Sequence, residues 1–128
     1  MSDKTVAQKL QIKPGQRVLF VHAPPGYEKG VGPLPAGAVV LREPVRPIET
    51  IQVFVQSQRE LAAEVRRLKA LLAPTGALWV TYRKGSSRVK TDVNRDTIRA
   101  YAQTLGLEGV PIFALDEDWS ALRLKIVA

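Results

Sequence analysis

Apolar residues occur along the chain in short runs that have the length of β-strands. Within residues 17–22, the continuous run Val-Leu-Phe-Val is typical of a strand buried on both faces of a parallel sheet, and residues 77–82 form a second strongly apolar strand. In segment 50–56, Ile51, Val53 and Val55 instead occupy alternate positions, with Gln52, Phe54 and Gln56 between and after them. The predicted strands cover residues 17–22, 38–41, 50–56, 77–82, 110–115 and 122–127.

Helical spacing appears in three other segments. Ser57-Gln58-Arg59-Glu60 has the form of a capping box, and an apolar stripe follows it at helical intervals. A second helix is predicted from Asn94 to Leu105, with Gly106 at its C-terminal end, and a short one within residues 2–10. The stripe consists of Leu61, Val65, Leu68, Leu71 and Leu72.

The order of these elements predicts the fold class. Strands alternate with helices through most of the chain, which favours an α/β domain with a mostly parallel sheet of about six strands. The last two strands are joined by only a few residues, so they predict an antiparallel hairpin at the C-terminal edge. Segment 23–37 contains four prolines and four glycines, which predicts a loop with at most one helical turn near Tyr27. We expect residues 1–128 to form a single domain.

Composition excludes several kinds of chemistry. The chain has 128 residues, no cysteine and one histidine, which excludes thiol catalysis, cysteine-ligated metals and disulfides, and leaves little for a histidine-based site. Its 19 Lys and Arg residues exceed its 12 Asp and Glu residues, giving a net charge of +7. The apolar runs are too short to cross a bilayer, so we expect a cytoplasmic protein without membrane attachment.

Three segments resemble S-adenosylmethionine-dependent methyltransferases of the Rossmann-like class. Residues 12–19, 51–55 and 71–80 look like the first, fourth and fifth strands of that fold, and the last of these carries Leu72-Ala73-Pro74-Thr75-Gly76-Ala77-Leu78. The resemblance implies a Rossmann-like three-layer domain with a reversed last strand. Residues 86–96 and 118–123 are in addition similar to an uncharacterised bacterial family of domains of unknown function.

The methyltransferase pattern is interrupted after the first strand. The resemblance implies an acid and a glycine-rich turn there, because glycines let backbone N–H groups approach the cofactor. The chain has His22-Ala23-Pro24-Pro25-Gly26-Tyr27 instead, and the two prolines remove two donors. We therefore expect no cofactor. If S-adenosylmethionine does bind, the candidate cleft residues are His22, Tyr27 and Glu43, the last for ribose hydroxyls.

The strongest positive charge lies in one stretch, Arg83 to Arg99, which holds six basic residues and two acidic ones. Its glycine and two serines follow a predicted strand end, where open α/β sheets bind ligands. Loop 83–95 is therefore a candidate anion-binding site, the alternative being a solvated loop. The candidate residues are Arg83, Lys84, Ser86, Ser87, Arg88, Lys90 and Arg95.

From these features the sequence predicts a non-catalytic binding domain that recognises an anionic group through the basic loop. A small anion or an acidic protein segment is the expected partner, and nucleic acid is an alternative because of the net charge. A local acidic cluster near Asp116 leaves self-association open. The alternative function is that of a divergent enzyme that binds S-adenosylmethionine or a nucleotide.

Overall fold

The structure, a computed structural model, describes residues 5–83, 92–114 and 119–127. Strands β1 to β6 span Arg17–Val21, Val39–Val40, Ile48–Val55, Leu72–Arg83, Leu107–Ala114 and Trp119–Ile126. Helices α1 to α3 span Val6–Lys9, Gln58–Lys69 and Arg95–Thr104, and a 3₁₀ helix covers Tyr27–Gly30.

The strands form one sheet in the order β2-β1-β3-β4-β6-β5. Strands β2, β1, β3 and β4 are parallel, whereas β6 runs antiparallel to both of its neighbours. The prediction of a mostly parallel α/β sheet with an antiparallel C-terminal hairpin is confirmed.

One face of the sheet, here called the helix face, is covered by α2 and α3. The apolar stripe of α2 places Leu61, Val65 and Leu68 against aliphatic side chains of the strands, and α3 adds Ile98 and Ala102. Burying an aliphatic side chain of this size contributes about 1.5–3 kcal/mol. This cluster is the main core of the domain.

The opposite face, here called the loop face, is covered mainly by irregular chain. Helix α1 contributes Ala7, and Val31 from the loop region packs on the same cluster, which includes Val18 and Trp79 of the sheet. The many prolines and glycines of segment 23–37 prevent a long helix there, as predicted. Both faces of the sheet are therefore covered, so the domain has the three layers that were predicted.

The helix termini follow the predicted capping chemistry, with one variation. The Ser57 hydroxyl accepts a hydrogen bond from the Glu60 backbone N–H at 3.1 Å. In a capping box the Glu60 carboxylate would accept from the backbone N–H of Ser57. Here it accepts instead from the N–H of the preceding residue, Gln56, at 2.8 Å. At α3, Asn94 and Thr97 form a reciprocal capping box.

Four strands begin earlier than the sequence predicts: β3 at Ile48 rather than 50, β4 at Leu72 rather than 77, β5 at Leu107 rather than 110, and β6 at Trp119 rather than 122. Strand β4 starts at Leu72, because an irregularity lets Leu72 pair with Ile48 before regular pairing resumes at Ala77. Gly76 permits this irregularity, since a Cβ there would lie 2.8 Å from the Glu49 carbonyl oxygen. Strand β6 starts at Trp119, which pairs with Arg83 at the end of β4.

Candidate functional site

The sheet has a topological switch point between β1 and β3. From β1 the chain moves outward to β2 on one side, and it then returns to form β3 on the other side of β1. Open α/β sheets bind ligands outside the carboxyl ends of the strands at such a point. A ligand-binding site is therefore expected at the segment that follows Val21.

A cavity of about 370 Å³ lies in this segment. Its volume is within the usual range for small-molecule sites, about 300–1,000 Å³. The aromatic rings of Phe20 and Tyr27 supply apolar surface, and Glu28 and Lys29 add charge. The lining residues are Phe20, Ala23, Pro24, Gly26, Tyr27, Glu28 and Lys29.

Tyr27 is held over the loop face by a buried chain of hydrogen bonds. Its hydroxyl donates to the side-chain oxygen of Gln52 at 2.8 Å. The Gln52 amide nitrogen then donates to the Thr81 hydroxyl at 2.9 Å, and both Gln52 and Thr81 are 0% exposed. The cavity wall is thus connected to the two central strands, β3 and β4.

Aromatic contacts extend the same wall along the carboxyl edge of the sheet. Tyr27 makes edge-to-face contacts with Phe20 at 5.6 Å and with Phe54 at 4.8 Å between ring centroids. Phe54 contacts Trp119 in the same manner at 5.1 Å. The guanidinium of Arg83 lies 4.1 Å from the centroid of the Trp119 ring.

The turn after β1 offers few backbone donors to a ligand. Pro24 and Pro25 carry no N–H group, the Tyr27 N–H donates to the Pro24 carbonyl at 3.0 Å, and the Lys29 N–H donates to that of Gly26 at 3.2 Å. Gly26 has a φ of 77°, the left-handed conformation that favours glycine. A ligand in the cavity would therefore meet mostly side chains.

The three predicted cleft residues take different positions. Tyr27 lines the cavity, but His22 and Glu43 are not among its lining residues. The His22 ring lies toward α2, with its Nε2 atom 3.5 Å from a carboxylate oxygen of Glu64. Glu43 is exposed in the connection that follows β2. Next to it, Arg42 forms an ion pair with Glu28 of the cavity at 2.7 Å.

Only two of the predicted anion-binding residues can be placed. Arg83 ends β4 at the carboxyl edge, and its Nε atom is buried without a hydrogen-bond partner in the described part of the chain. Arg95 begins α3, half exposed, with its Nε atom 3.7 Å from an Asp96 oxygen. The remaining candidates lie outside the described residues: Lys84, Ser86, Ser87, Arg88 and Lys90.

The sequence did not predict Gln52 and Thr81 as site residues. Gln52 is a polar residue between the apolar residues Ile51 and Val53 of a central strand, and this was the available signal, because a buried amide needs partners. The partners themselves depend on how β3 and β4 pair. Within residues 5–83, 92–114 and 119–127, no cluster of acidic and histidine side chains could hold a metal ion, and no helix is long and apolar enough to cross a membrane.

Comparison of the fold with solved structures gives several similar proteins. A SAM dependent methyltransferase from Aquifex aeolicus has a TM-score of 0.63 and 15% sequence identity, with 95% of this chain and 88% of that chain covered. Fibrillarin from Aeropyrum pernix, solved with natively bound S-adenosyl-L-methionine, has a TM-score of 0.60 and 14% identity, with 93% and 72% covered. The fold is methyltransferase-like. TrmN from Thermus thermophilus has a TM-score of 0.59 and 12% identity over 95% of this chain and 47% of its own.

The methyltransferase-like fold is reduced at one edge of the sheet. The sequence resemblance assigns β1, β3 and β4 as its first, fourth and fifth strands, and only β2 lies between the first two of these. The order β2-β1-β3-β4 therefore corresponds to the Rossmann order without its outermost strand. No family model and no curated protein matches the chain in sequence. The resemblance to the bacterial family of unknown function stays a prediction.

Proposed function

We propose that this domain binds an adenosyl compound, S-adenosylmethionine or a related nucleotide, at the carboxyl edge of its sheet. The observation that carries the proposal is the cavity of about 370 Å³ that directly follows β1 beside the switch point. The alternative function given by the sequence, binding of S-adenosylmethionine or a nucleotide, is therefore better supported than anion binding alone, since similar folds include a fibrillarin with bound S-adenosyl-L-methionine.

The residues at this edge fit the nucleoside part of such a ligand. Tyr27 and Phe20 provide aromatic surface against a purine ring, and Lys29 provides a cation at the rim. Glu43 follows β2, where an acid can accept hydrogen bonds from ribose hydroxyls. The prolines reduce the number of turn amides, so binding would depend on ring contacts more than on a backbone cradle.

S-adenosylmethionine, when bound, supplies an electrophilic methyl group. The chain's own contribution would be to hold the adenosyl group through Tyr27 and to restrict water from the cavity beside it. We assign no acid, base or nucleophile to this chemistry, because the described cavity residues lack a paired nucleophile and base.

Calorimetric titration of the purified chain with S-adenosylmethionine, S-adenosylhomocysteine and ATP tests the proposal. We expect at least one ligand to bind with a Kd below about 100 μM. Tyr27→Leu should weaken binding about tenfold or more, since it removes an aromatic wall. Tyr101→Leu is the matched control, because the Tyr101 hydroxyl bonds to the Ala62 carbonyl on the helix side of the domain. No measurable binding, or equal binding by both variants, would overturn the proposal.

Anion binding by loop 83–95 is a second candidate function. Arg83 supports it, because its guanidinium is held against Trp119 at the carboxyl edge and its Nε atom has no hydrogen-bond partner in the described residues. A small anion or an acidic protein segment would be the partner. The double variant Arg88→Ala/Lys90→Ala should lose salt-sensitive binding of pyrophosphate. A control with the same charge change, Arg59→Ala/Arg66→Ala on exposed positions of α2, should retain it.

A further inference from the structure

A second cavity lies at the opposite, amino edge of the sheet. Its volume is about 70 Å³, and its lining is mostly polar. It lies on the loop face, between the turn that precedes β1 and the strands β3, β4 and β6. The polar residues that line it are Gln11, Lys13, Gln16, Glu49, Thr50, Thr75 and Arg123.

Two of the acceptor groups of this cavity, on Gln16 and Glu49, already have donors within the protein. The side-chain oxygen of Gln16 accepts from the Lys13 backbone N–H and from the Thr50 hydroxyl, both at 3.0 Å. The Glu49 carboxylate accepts from the backbone N–H of Arg17 at 2.7 Å and from its guanidinium at 2.8 Å. A ligand that donates hydrogen bonds would therefore find these two acceptors already engaged.

Donors, in contrast, remain available. The Nε atom of Arg123 is buried and has no hydrogen-bond partner among the described residues. In the same part of the chain, no side-chain hydrogen bond engages the Lys13 ammonium or the Thr75 hydroxyl, although both residues line the cavity. Two positively charged side chains, Lys13 and Arg123, therefore line the cavity together with one carboxylate, Glu49, which is paired with Arg17. A buried N–H without an acceptor is unfavourable, and an oxygen ligand would supply that acceptor.

We propose that this cavity binds a small oxyanion, a phosphate or the terminal phosphoryl group of a phosphomonoester. Its volume of about 70 Å³ has room for one small tetrahedral anion but is far below the roughly 300–1,000 Å³ of pockets that hold larger ligands such as a nucleoside. A guanidinium together with an ammonium and a hydroxyl is a donor set that suits phosphate oxygens. The proposal does not rest on the adenosyl-binding function, since the two cavities lie at opposite edges of the sheet.

The test is calorimetric titration with inorganic phosphate, glycerol phosphate and acetate at constant ionic strength. Arg123→Gln should bind inorganic phosphate about tenfold or more weakly than the wild type. Lys125→Gln is the matched control: it lies two residues along β6 on the same face, removes the same charge and does not line the cavity. The loop variant Arg88→Ala/Lys90→Ala should retain this phosphate binding.

The outcomes separate the sources of the anion. Binding of inorganic phosphate but not glycerol phosphate indicates the free anion, and binding of both indicates a phosphoryl group on a larger molecule. No phosphate binding by the wild type overturns the proposal, as does equal weakening by Arg123→Gln and Lys125→Gln. If Arg123→Gln does not fold, Lys13→Gln on the exposed turn replaces it, with the same expected loss of binding.

Discussion

Replacing Thr81 by valine tests the buried chain of hydrogen bonds that holds Tyr27. Valine has almost the same shape as threonine, so the change opens no cavity and removes only the hydroxyl. That hydroxyl is the acceptor for the Gln52 amide nitrogen at 2.9 Å. Both residues are 0% exposed, so water cannot take its place without a structural change.

The expected loss of stability follows from this burial. An exposed hydrogen bond contributes a net 0.5–1.5 kcal/mol or so, but a buried donor left without an acceptor costs about 1–3 kcal/mol. We therefore expect Thr81→Val to lower the free energy of unfolding by about 1–3 kcal/mol. Adding Gln52→Met removes the unsatisfied amide, so the double variant should be more stable than the sum of the single changes predicts, by about 1 kcal/mol or more.

Urea unfolding followed by circular dichroism measures these differences. Thr75→Val is the control, because Thr75 is an exposed residue of the same strand and should tolerate the change within about 0.5 kcal/mol. A Thr81→Val variant as stable as the control would refute the reasoning. Strict additivity of Thr81→Val and Gln52→Met would also refute it, since it would mean that the two side chains do not interact.

Two further predictions concern the amino edge of the sheet. The hydrogen bond from Arg17 lowers the pKa of Glu49 below its usual 4.5, so the pair adds stability above that pH and loses it as the pH falls through the lowered value. When the pH falls from about 6 to about 3, urea unfolding should show that the wild type loses more stability than Glu49→Gln does, by up to about 1 kcal/mol. An equal loss in both proteins would contradict this. Gly76→Ala places a Cβ 2.8 Å from the Glu49 carbonyl oxygen and should cost about 1–3 kcal/mol. In Gly30→Ala the added Cβ meets nothing within 4 Å, so calorimetric unfolding should give a stability close to that of the wild type. A Gly76→Ala variant as stable as Gly30→Ala would contradict the prediction, because it would show that the backbone relaxes.

The fold was largely predictable because its signals are local. The continuous apolar run of β1, the Ser57 cap and the stripe of α2 each depend on neighbouring residues, and alternation of strands and helices follows from them. The start of β4 was not predictable, since Leu72 joins the sheet only through its pairing with Ile48. Trp119 likewise belongs to a strand because of its partner across the sheet.

The candidate site was less predictable than the fold. The methyltransferase resemblance suggested that His22, Tyr27 and Glu43 share a cofactor cleft, but the His22 and Tyr27 side chains lie toward opposite faces of the sheet. His22 has a φ of 58°, and its ring lies near Glu64 on the helix side, whereas Tyr27 bonds to Gln52 on the loop face. Such contacts join residues that are far apart in the sequence, so local sequence patterns do not predict them.

The two layers that cover the sheet differ in how they are attached, and this affects how a ligand can enter and leave. The contacts that secure the segment carrying Tyr27 include its side-chain hydrogen bond to Gln52, ring contacts, the ion pair of Glu28 with Arg42, and backbone bonds such as that from the Ala7 N–H to the Val31 carbonyl. Detaching it would leave the pairing of β3 with β4 intact. For the adenosyl ligand proposed above, exchange would proceed through a local opening that costs much less free energy than unfolding the domain.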